Sequence, residues 1–262
     1  MTALRQFDVA AAGRALAGTR FARRLQHFAS VESTSSLLLA AAANGAPEGT
    51  VYVADEQTSG RGRGGHQWHS SAGDGLYVSV LIRPPLPLGE ALWISLATGL
   101  AAQRAIHETT GLDIDIRWPN DLLLGDKKCG GILVETSVEG PLLRFAVIGV
   151  GINVNHEKFP PELNGAATSL SIEAGQLQSR ATLLAALLRA LDLELTRLES
   201  GTHDLLKRFT VASTWVRDKH VHVAESGGYT GITDGLDAHG FLQVIGDDGV
   251  RHTVLSSGVR AA

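Results

Sequence analysis

The chain has 262 residues, of which 44% are hydrophobic, 19% charged and 5% aromatic, which excludes intrinsic disorder and puts the core mainly on Leu, Val, Ile and Ala. A formal net charge of −4 gives no global attraction to nucleic acid or to an anionic membrane surface, so any polyanion must be met by a local basic cluster. The single cysteine, Cys129, excludes an intramolecular disulfide framework and is compatible with a reducing compartment.

The opening MTALRQFDVA has no continuous apolar run, so no secretory signal is expected. Its Arg- and Ala-rich continuation to about residue 26 predicts a short helix leading into the strand RLQHFASV. STSSLLLAAAANGAP starts with Ser/Thr caps and stops at Asn44-Gly45, which predicts a helix. TVYVADEQ and GLYVSVLIRP predict strands on either side of a long Gly-rich loop. ALWISLATGLAAQRAIHETTG predicts an amphipathic helix ending at Gly111. IDIRWPNDLLL, KCGGILVETSV and LLRFAVIGVGINVN read as strands of an antiparallel meander. One helical pattern runs from Ser179 to about Phe209. Its apolar stretch, TLLAALLRALDLEL, is broken by Arg189 and Asp192 and falls short of the ~20 apolar residues of a membrane span, so a soluble cytoplasmic protein is expected. After Trp215 the short strands KHVHVAES, GYTGITDGLD, GFLQVIGDDG and RHTVLSSGV suggest a small barrel or sandwich. The expected fold is α+β, with a catalytic domain over 1–214 and a small domain over 215–262 that packs against it.

GRGRGG, Gly60 to Gly65, alternates arginines with glycines. Glycines let successive backbone N–H groups turn toward an anion, and arginines add planar multi-donor charge suited to phosphate or carboxylate. A flexible linker would share this composition, but flanking strands argue against one. No GxxxxGK followed by Ser or Thr occurs, and GVGINVN lacks the third glycine of the dinucleotide fingerprint, so neither a P-loop nor a Rossmann enzyme is expected. HQWH, His66 to His69, has no acidic or cysteine partner at ligand spacing, and no structural metal site is expected. In RWPNDLLLGDKKCGGILVE a lysine of the Lys127-Lys128 pair points a cation into a site or lies in a solvated turn. In VIGVGINVN the small residues leave room for a flat ligand, and Asn153 offers an amide, though a core strand ending in a polar turn reads the same way.

In that order, STSS, EQTSGRGRGG, RWPND, KKCGGILVE and IGVGINVN resemble the biotin protein ligase family over roughly residues 25 to 262; GITDGLDAHGFLQV and the closing SSGVR resemble its small SH3-like domain. The resemblance implies a catalytic domain related to class II aminoacyl-tRNA synthetases, followed by an SH3-like β-barrel. It implies a ligase that activates biotin with ATP and Mg2+ as biotinyl-5′-AMP and transfers it to a lysine of a carrier protein, the biotin carboxyl carrier protein of acetyl-CoA carboxylase. Ser33, Thr34 and Ser35, with Gln57, match the positions that bind the biotin ureido ring, and Ser35 departs from the commoner Asn. Arg61, Gly62 and Arg63 match the loop that closes over biotin and nucleotide, while Gly64 and His66 depart from more arginine-rich versions. Trp68 matches a tryptophan that stacks on the ligand. Lys128, counted back from GGILVE, matches the catalytic lysine, and Gly130 and Gly131 bring backbone near biotin. Asn120 and Asn153 match positions near adenine. Asp121 is a candidate for orienting the acceptor lysine or for meeting magnesium.

A lipoate or octanoate ligase or transferase of the same fold is the nearest alternative, disfavoured by the GRGRGG loop. A biotin-binding protein that has lost catalysis is disfavoured by Lys128 and the two arginines. About 26 residues precede the resemblance, short for a helix-turn-helix domain, so no sequence-specific DNA binding is expected. An exposed sheet edge offers a route to a homodimer.

Overall fold

The structure, a computed structural model, describes residues 6–201, 204–255 and 258–262. Residues 1–5, 202–203 and 256–257 lie outside it; the readings above that fall on them concern the N-terminal stretch, the long helical pattern and the closing SSGVR.

The Asp8 carboxylate accepts from the Ala11 amide at 2.8 Å and starts α1, Val9–Ala15. Strand β1, Leu25–Val31, pairs in parallel with β2, Val51–Gln57, and α2, Thr34–Ala43, makes the crossover between them. Helix α2 begins where the Ser33 hydroxyl accepts from the Ser36 amide at 3.4 Å, the N-cap that the Ser/Thr cluster predicts. Strand β3, Gly75–Ile82, is antiparallel to β2 and buried throughout, and α3, Ala91–Thr110, ends at Gly111.

Two expectations are corrected here. IDIRWPNDLLL is a hairpin rather than one strand: β4, Asp115–Arg117, and β5, Asp121–Leu124, are antiparallel across Trp118 to Asn120. Pro119 has no N–H to give a ladder, so the apolar run cannot continue as a single strand through it. The helical pattern from Ser179 to Phe209 is two helices, α5, Arg180–Glu199, and α6, Leu205–Ala212, preceded by a short unpredicted α4, Leu170–Ala174. The break falls at Gly201, whose φ of 72° leaves the helical region, while the apolar spacing runs on across it and hides the stop.

Strands β6, Lys127–Glu139, and β7, Leu142–Asn153, form a long hairpin in the middle of a sheet of order β1-β2-β3-β7-β6-β5-β4, parallel only at β1/β2. Helices α3 and α5 pack together on one face, burying among others Leu96, Ala97, Leu184 and Leu187. On the other face α2 packs through Leu38 and Ala42 on Leu81, Phe145 and Val147. Beyond Trp215, strands β8, Arg217–Val223, β9, Tyr229–Leu236, β10, Leu242–Gly246, β11, Arg251–Val254, and β12, Val259–Ala261, form an antiparallel sheet of order β11-β10-β9-β8-β12. This small sheet docks on the first: Trp215, Val221 and Val244 belong to the same buried cluster as Ile116 and Trp118, and the Trp118 indole N–H donates to the Gly240 carbonyl at 3.0 Å. Among the described residues no helix is long and apolar enough to cross a membrane.

Candidate active site

One cleft opens over β3, β7 and β6, walled by the first turn of α2 and roofed by the Gly-rich loop between β2 and β3. It brings together Ser33, Thr34, Ser35, Gln57, Arg61, Gly62, Arg63, Trp68, Asn120, Lys128 and Gly131, residues spread over five separate stretches of the sequence. Gly130, Asp121 and Asn153 do not line it. A Cβ on Gly130 would meet Leu122 Cδ1 at 2.9 Å, so its face belongs to β5 rather than to the cleft. The Asn153 amide, expected near adenine, is turned to the chain itself: its Nδ2 donates to the Thr168 carbonyl at 3.0 Å and the Lys128 carbonyl at 3.5 Å.

The floor is a chain of buried hydroxyls whose polarity follows from one acceptor. Gln57 Oε1 can only accept, and it takes the Thr34 amide at 2.9 Å and the Thr34 hydroxyl at 3.1 Å. Thr34 Oγ1, its proton thus used, accepts from Ser79 Oγ at 2.8 Å, and Ser79 in turn accepts from Ser35 Oγ at 2.9 Å. At the other end Gln57 Nε2 donates to Ser70 Oγ at 3.0 Å. With its proton directed at Ser79, Ser35 presents lone pairs to its surroundings, so a ligand group there must donate a hydrogen bond. Gly149 makes room for this arrangement, since a Cβ on it would lie 2.5 Å from Ser35 Oγ.

Lys128 reaches the cleft because of a bulge. The pairing of β5 with β6 runs Leu122 to Gly130 and then Leu123 to Lys128, leaving Cys129 as the extra residue. In a regular strand Lys128 and Gly131 would face opposite sides; the additional residue turns both toward the cleft, where a Cβ on Gly131 would lie 3.3 Å from Lys128 Cε. Cys129 is left buried on the far side, and that burial raises its thiol to about 12. The Lys128 backbone is pinned by its N–H to the Ala166 carbonyl at 2.9 Å and by its carbonyl from the Thr168 amide at 3.0 Å. Its ammonium forms an ion pair with Asp121, which also takes the Arg117 guanidinium at 2.6 Å. Burial alone would raise the Asp121 carboxyl; the two cations outweigh it and hold it below the usual carboxylate range.

The small residues of β7 do admit a flat group, but it is the chain's own Trp68. A Cβ on Gly151 would lie 2.6 Å from Trp68 Cε2, and Lys128 Nζ stands 5.5 Å from the centre of the indole ring. Among the described residues the buried indole Nε1 has no hydrogen-bond partner, an uncommon cost that a bound acceptor would relieve.

Three cations surround the cleft, and two are already paired. Arg61 is held in a two-pronged ion pair by Glu135, at 2.5 and 3.1 Å, and Lys128 by Asp121. Among the described residues half-buried Arg63 makes no ion pair; burial lowers its affinity for the proton, and the fields of Asp121 and Glu225 only partly offset this. A half-buried guanidinium without a counter-ion is suited to receive an anion.

Sequence reasoning missed Ser79, Glu135 and Arg117. Ser79 had a signal, since it is the one polar residue inside an otherwise apolar buried strand. It also missed the group behind the cleft, where buried His156 stacks on Phe159 with centroids 5.3 Å apart and meets the Tyr77 hydroxyl at 3.3 Å.

This is the layout of an acyl-activating ligase: a polar socket, a lysine beside it and an arginine-bearing loop above. Residues 27–153 match the Biotin/lipoate A/B protein ligase family. The biotin--[acetyl-CoA-carboxylase] ligase of Mycobacterium tuberculosis is 33% identical over 243 residues, covering 90% of this chain and 88% of that one. The bifunctional ligase/repressor BirA of Bacillus subtilis is 44% identical over 153 residues, 58% of this chain and 47% of that protein, so the chain matches about half the length of that relative. The solved biotin protein ligase from Aquifex aeolicus in complex with biotin and ATP superposes with a TM-score of 0.80 at 28% identity, over 92% of this chain and all of that one. The chain belongs to the biotin protein ligase family.

Proposed function

We propose that this protein joins biotin to a lysine of a biotin carboxyl carrier protein in two steps, through biotinyl-5′-AMP. The observation that carries the reading is the polarised floor: Ser35 accepts rather than donates, matching the N–H of a ureido ring, which the dithiolane of lipoate lacks. In the first step a biotin carboxylate oxygen attacks the α-phosphorus of ATP; the new P–O bond forms as the bond to the bridging oxygen breaks, and pyrophosphate leaves with its electron pair. Lys128 holds the carboxylate beside the α-phosphate, and Arg63 supplies the uncompensated positive charge that the phosphates meet. In the second step the neutral carrier amine attacks the acyl carbon, the C–N bond forms, the C–O bond to AMP breaks and the amine proton passes to solvent.

Asp121 is occupied by Lys128 and Arg117, and Glu135 by Arg61. Neither fits a protein-held cation, so Mg2+ would be held by the nucleotide phosphates and not by these side chains. Asp121 accordingly serves to aim Lys128. The mixed anhydride is hydrolysable, and the loop from Ser59 to Gly75 is the element that shields it. Mass spectrometry of a carrier domain incubated with the enzyme, biotin and ATP tests the whole reaction: gain of one biotinyl group on a single lysine supports it, and an unmodified carrier refutes it.

A further inference from the structure

Arg117 stands outside the cleft, yet it holds the residue that holds Lys128. It lies on β4, directly across the hairpin from Asp121 on β5, and its Nη2 and Nε donate to Asp121 Oδ2 at 2.6 and 3.2 Å. Lys128 takes the other oxygen, Oδ1. The carboxylate is thus shared, one oxygen to each cation. Facing Lys128 alone, it would be free to turn both oxygens to the ammonium and cancel the charge that an incoming anion must meet. With the guanidinium fork on Oδ2 that rotation is blocked, and two cations against one anion leave positive charge in surplus.

Arg117 is in turn held by the junction between the two sheets. Its Cζ lies 5.4 Å from the centre of the buried Trp215 ring, and Lys219 Nζ lies 4.9 Å from the same centre, contacts that the negative face of an indole favours. The two residues before Trp215 clamp the rest of β4. Ser213 Oγ donates to the Ile116 carbonyl at 2.6 Å, and the Thr214 amide and hydroxyl donate to the Asp115 carboxylate at 3.1 and 2.5 Å. Strand β4 has three residues and is the outer strand of its sheet, laddered on one side only, so these ties define where Arg117 sits.

We propose that Arg117, seated on Trp215, is a positioning residue for Lys128: by occupying one oxygen of Asp121 it aims the ammonium at the cleft and keeps its charge from being cancelled. Arg117 acts through Asp121 and touches no reacting atom. The kinetic consequence rests on the reaction proposed above; the hold on Lys128 does not.

Two measurements keep these apart. Arg117→Met keeps an apolar stem against Trp215 and removes the charge; Arg117→Lys keeps the charge without the fork. In biotin-dependent pyrophosphate exchange kcat should fall about 5- to 30-fold in Arg117→Met, with KM for biotin within about threefold because the serine socket is untouched. Arg117→Lys should recover most of the loss. In an Asp121→Asn background Arg117→Met should cost less than about twofold more, since the charge it shares is gone. The second measurement is competitive acetylation of Lys128 against its exposed neighbour Lys127, read by tandem mass spectrometry. Acetylation requires the amine to leave the carboxylate, so an Asp121 freed from Arg117 should slow Lys128 about three- to tenfold relative to Lys127, whereas mere loosening of the hairpin would speed it. An unchanged kcat, an equal loss in the Asp121→Asn background, or labelling of Lys128 that is unchanged or faster overturns the proposal. If the parent chain shows no biotin-dependent exchange but the labelling slows as stated, the substrate reading fails and the positioning role stands.

Discussion

Ser79 and Ser35 hold their hydroxyl oxygens 2.9 Å apart under the cleft, one from the middle of a buried strand and the other from the first turn of a helix. The pair shows how a shorter side chain at position 35 stays oriented: it borrows a partner from β3 and keeps its lone pairs toward the cleft. Replacing Ser79 by Ala leaves the Ser35 and Thr34 hydroxyls short of a buried partner, a cost of about 1–3 kcal/mol. On the proposed reading the hydroxyls act on binding and not on the reacting atoms, so KM for biotin should rise about 5- to 150-fold with kcat nearly constant. Steady-state kinetics check this, and an unaltered KM would mean that Ser35 orients itself.

Gly149 and Gly151 test the close approaches separately. Gly149→Ala would place a methyl 2.5 Å from Ser35 Oγ, and Gly151→Ala one 2.6 Å from Trp68 Cε2. Either requires displacement, because such separations lie far inside van der Waals contact. The first should weaken biotin binding without changing tryptophan fluorescence; the second should shift the fluorescence as Trp68 is pushed from the strand. Calorimetric titration and emission spectra distinguish them, and crossed effects would contradict the packing.

Asp121→Asn decides between aiming Lys128 and orienting the acceptor amine. The structure places Asp121 on Lys128 and Arg117, so the substitution should slow adenylation at least as much as transfer. Single-turnover measurement of each step reads the split; a normal rate of adenylation with slow transfer would reverse the assignment. The Asp121 carboxyl titrates below its unfolded value, so its contribution to stability is present above the unfolded pKa of about 3.9 and is lost as pH falls through the folded value.

His156 makes stability depend on mild acid. Burial lowers its folded pKa to about 4 from an unfolded 6.5, so between these values the unfolded chain binds the extra proton. Stability is therefore undiminished above pH 6.5 and declines as pH falls toward 4, with a limiting slope of about 1.4 kcal/mol per pH unit. Urea denaturation at a series of pH values should show this slope, and His156→Gln should flatten it. A parallel decline in that variant would assign the acid sensitivity elsewhere.

Much of this architecture was legible because it is local. Ser33 and Gly111 announced helix ends, and the composition of TVYVADEQ and GLYVSVLIRP announced strands β2 and β3. What was not legible depends on register and on partners distant in sequence. The bulge at Cys129, which turns Lys128 and Gly131 to one side, arises only when β5 is laid beside β6. Asn153 carries the right chemistry for a ligand, yet the segment around Thr168 claims its amide. Gly201 ended a helix through a pattern whose apolar spacing gave no sign of it, and Pro119 split a strand that composition alone ran together. The motifs converge on one cleft, but Ser79 completes it from a strand position that no motif marks, and Glu135 stands at the end of KKCGGILVE with no role assigned to it there.

The most direct measurement is biotin-dependent exchange of labelled pyrophosphate into ATP, run with the parent chain, with Lys128→Ala and with lipoate in place of biotin. The account predicts exchange with biotin, none with lipoate, and a loss of about 10²–10³ in the variant, the usual cost of removing one preorganised charge donor. Exchange with lipoate and not biotin, or exchange that survives in Lys128→Ala, would contradict it.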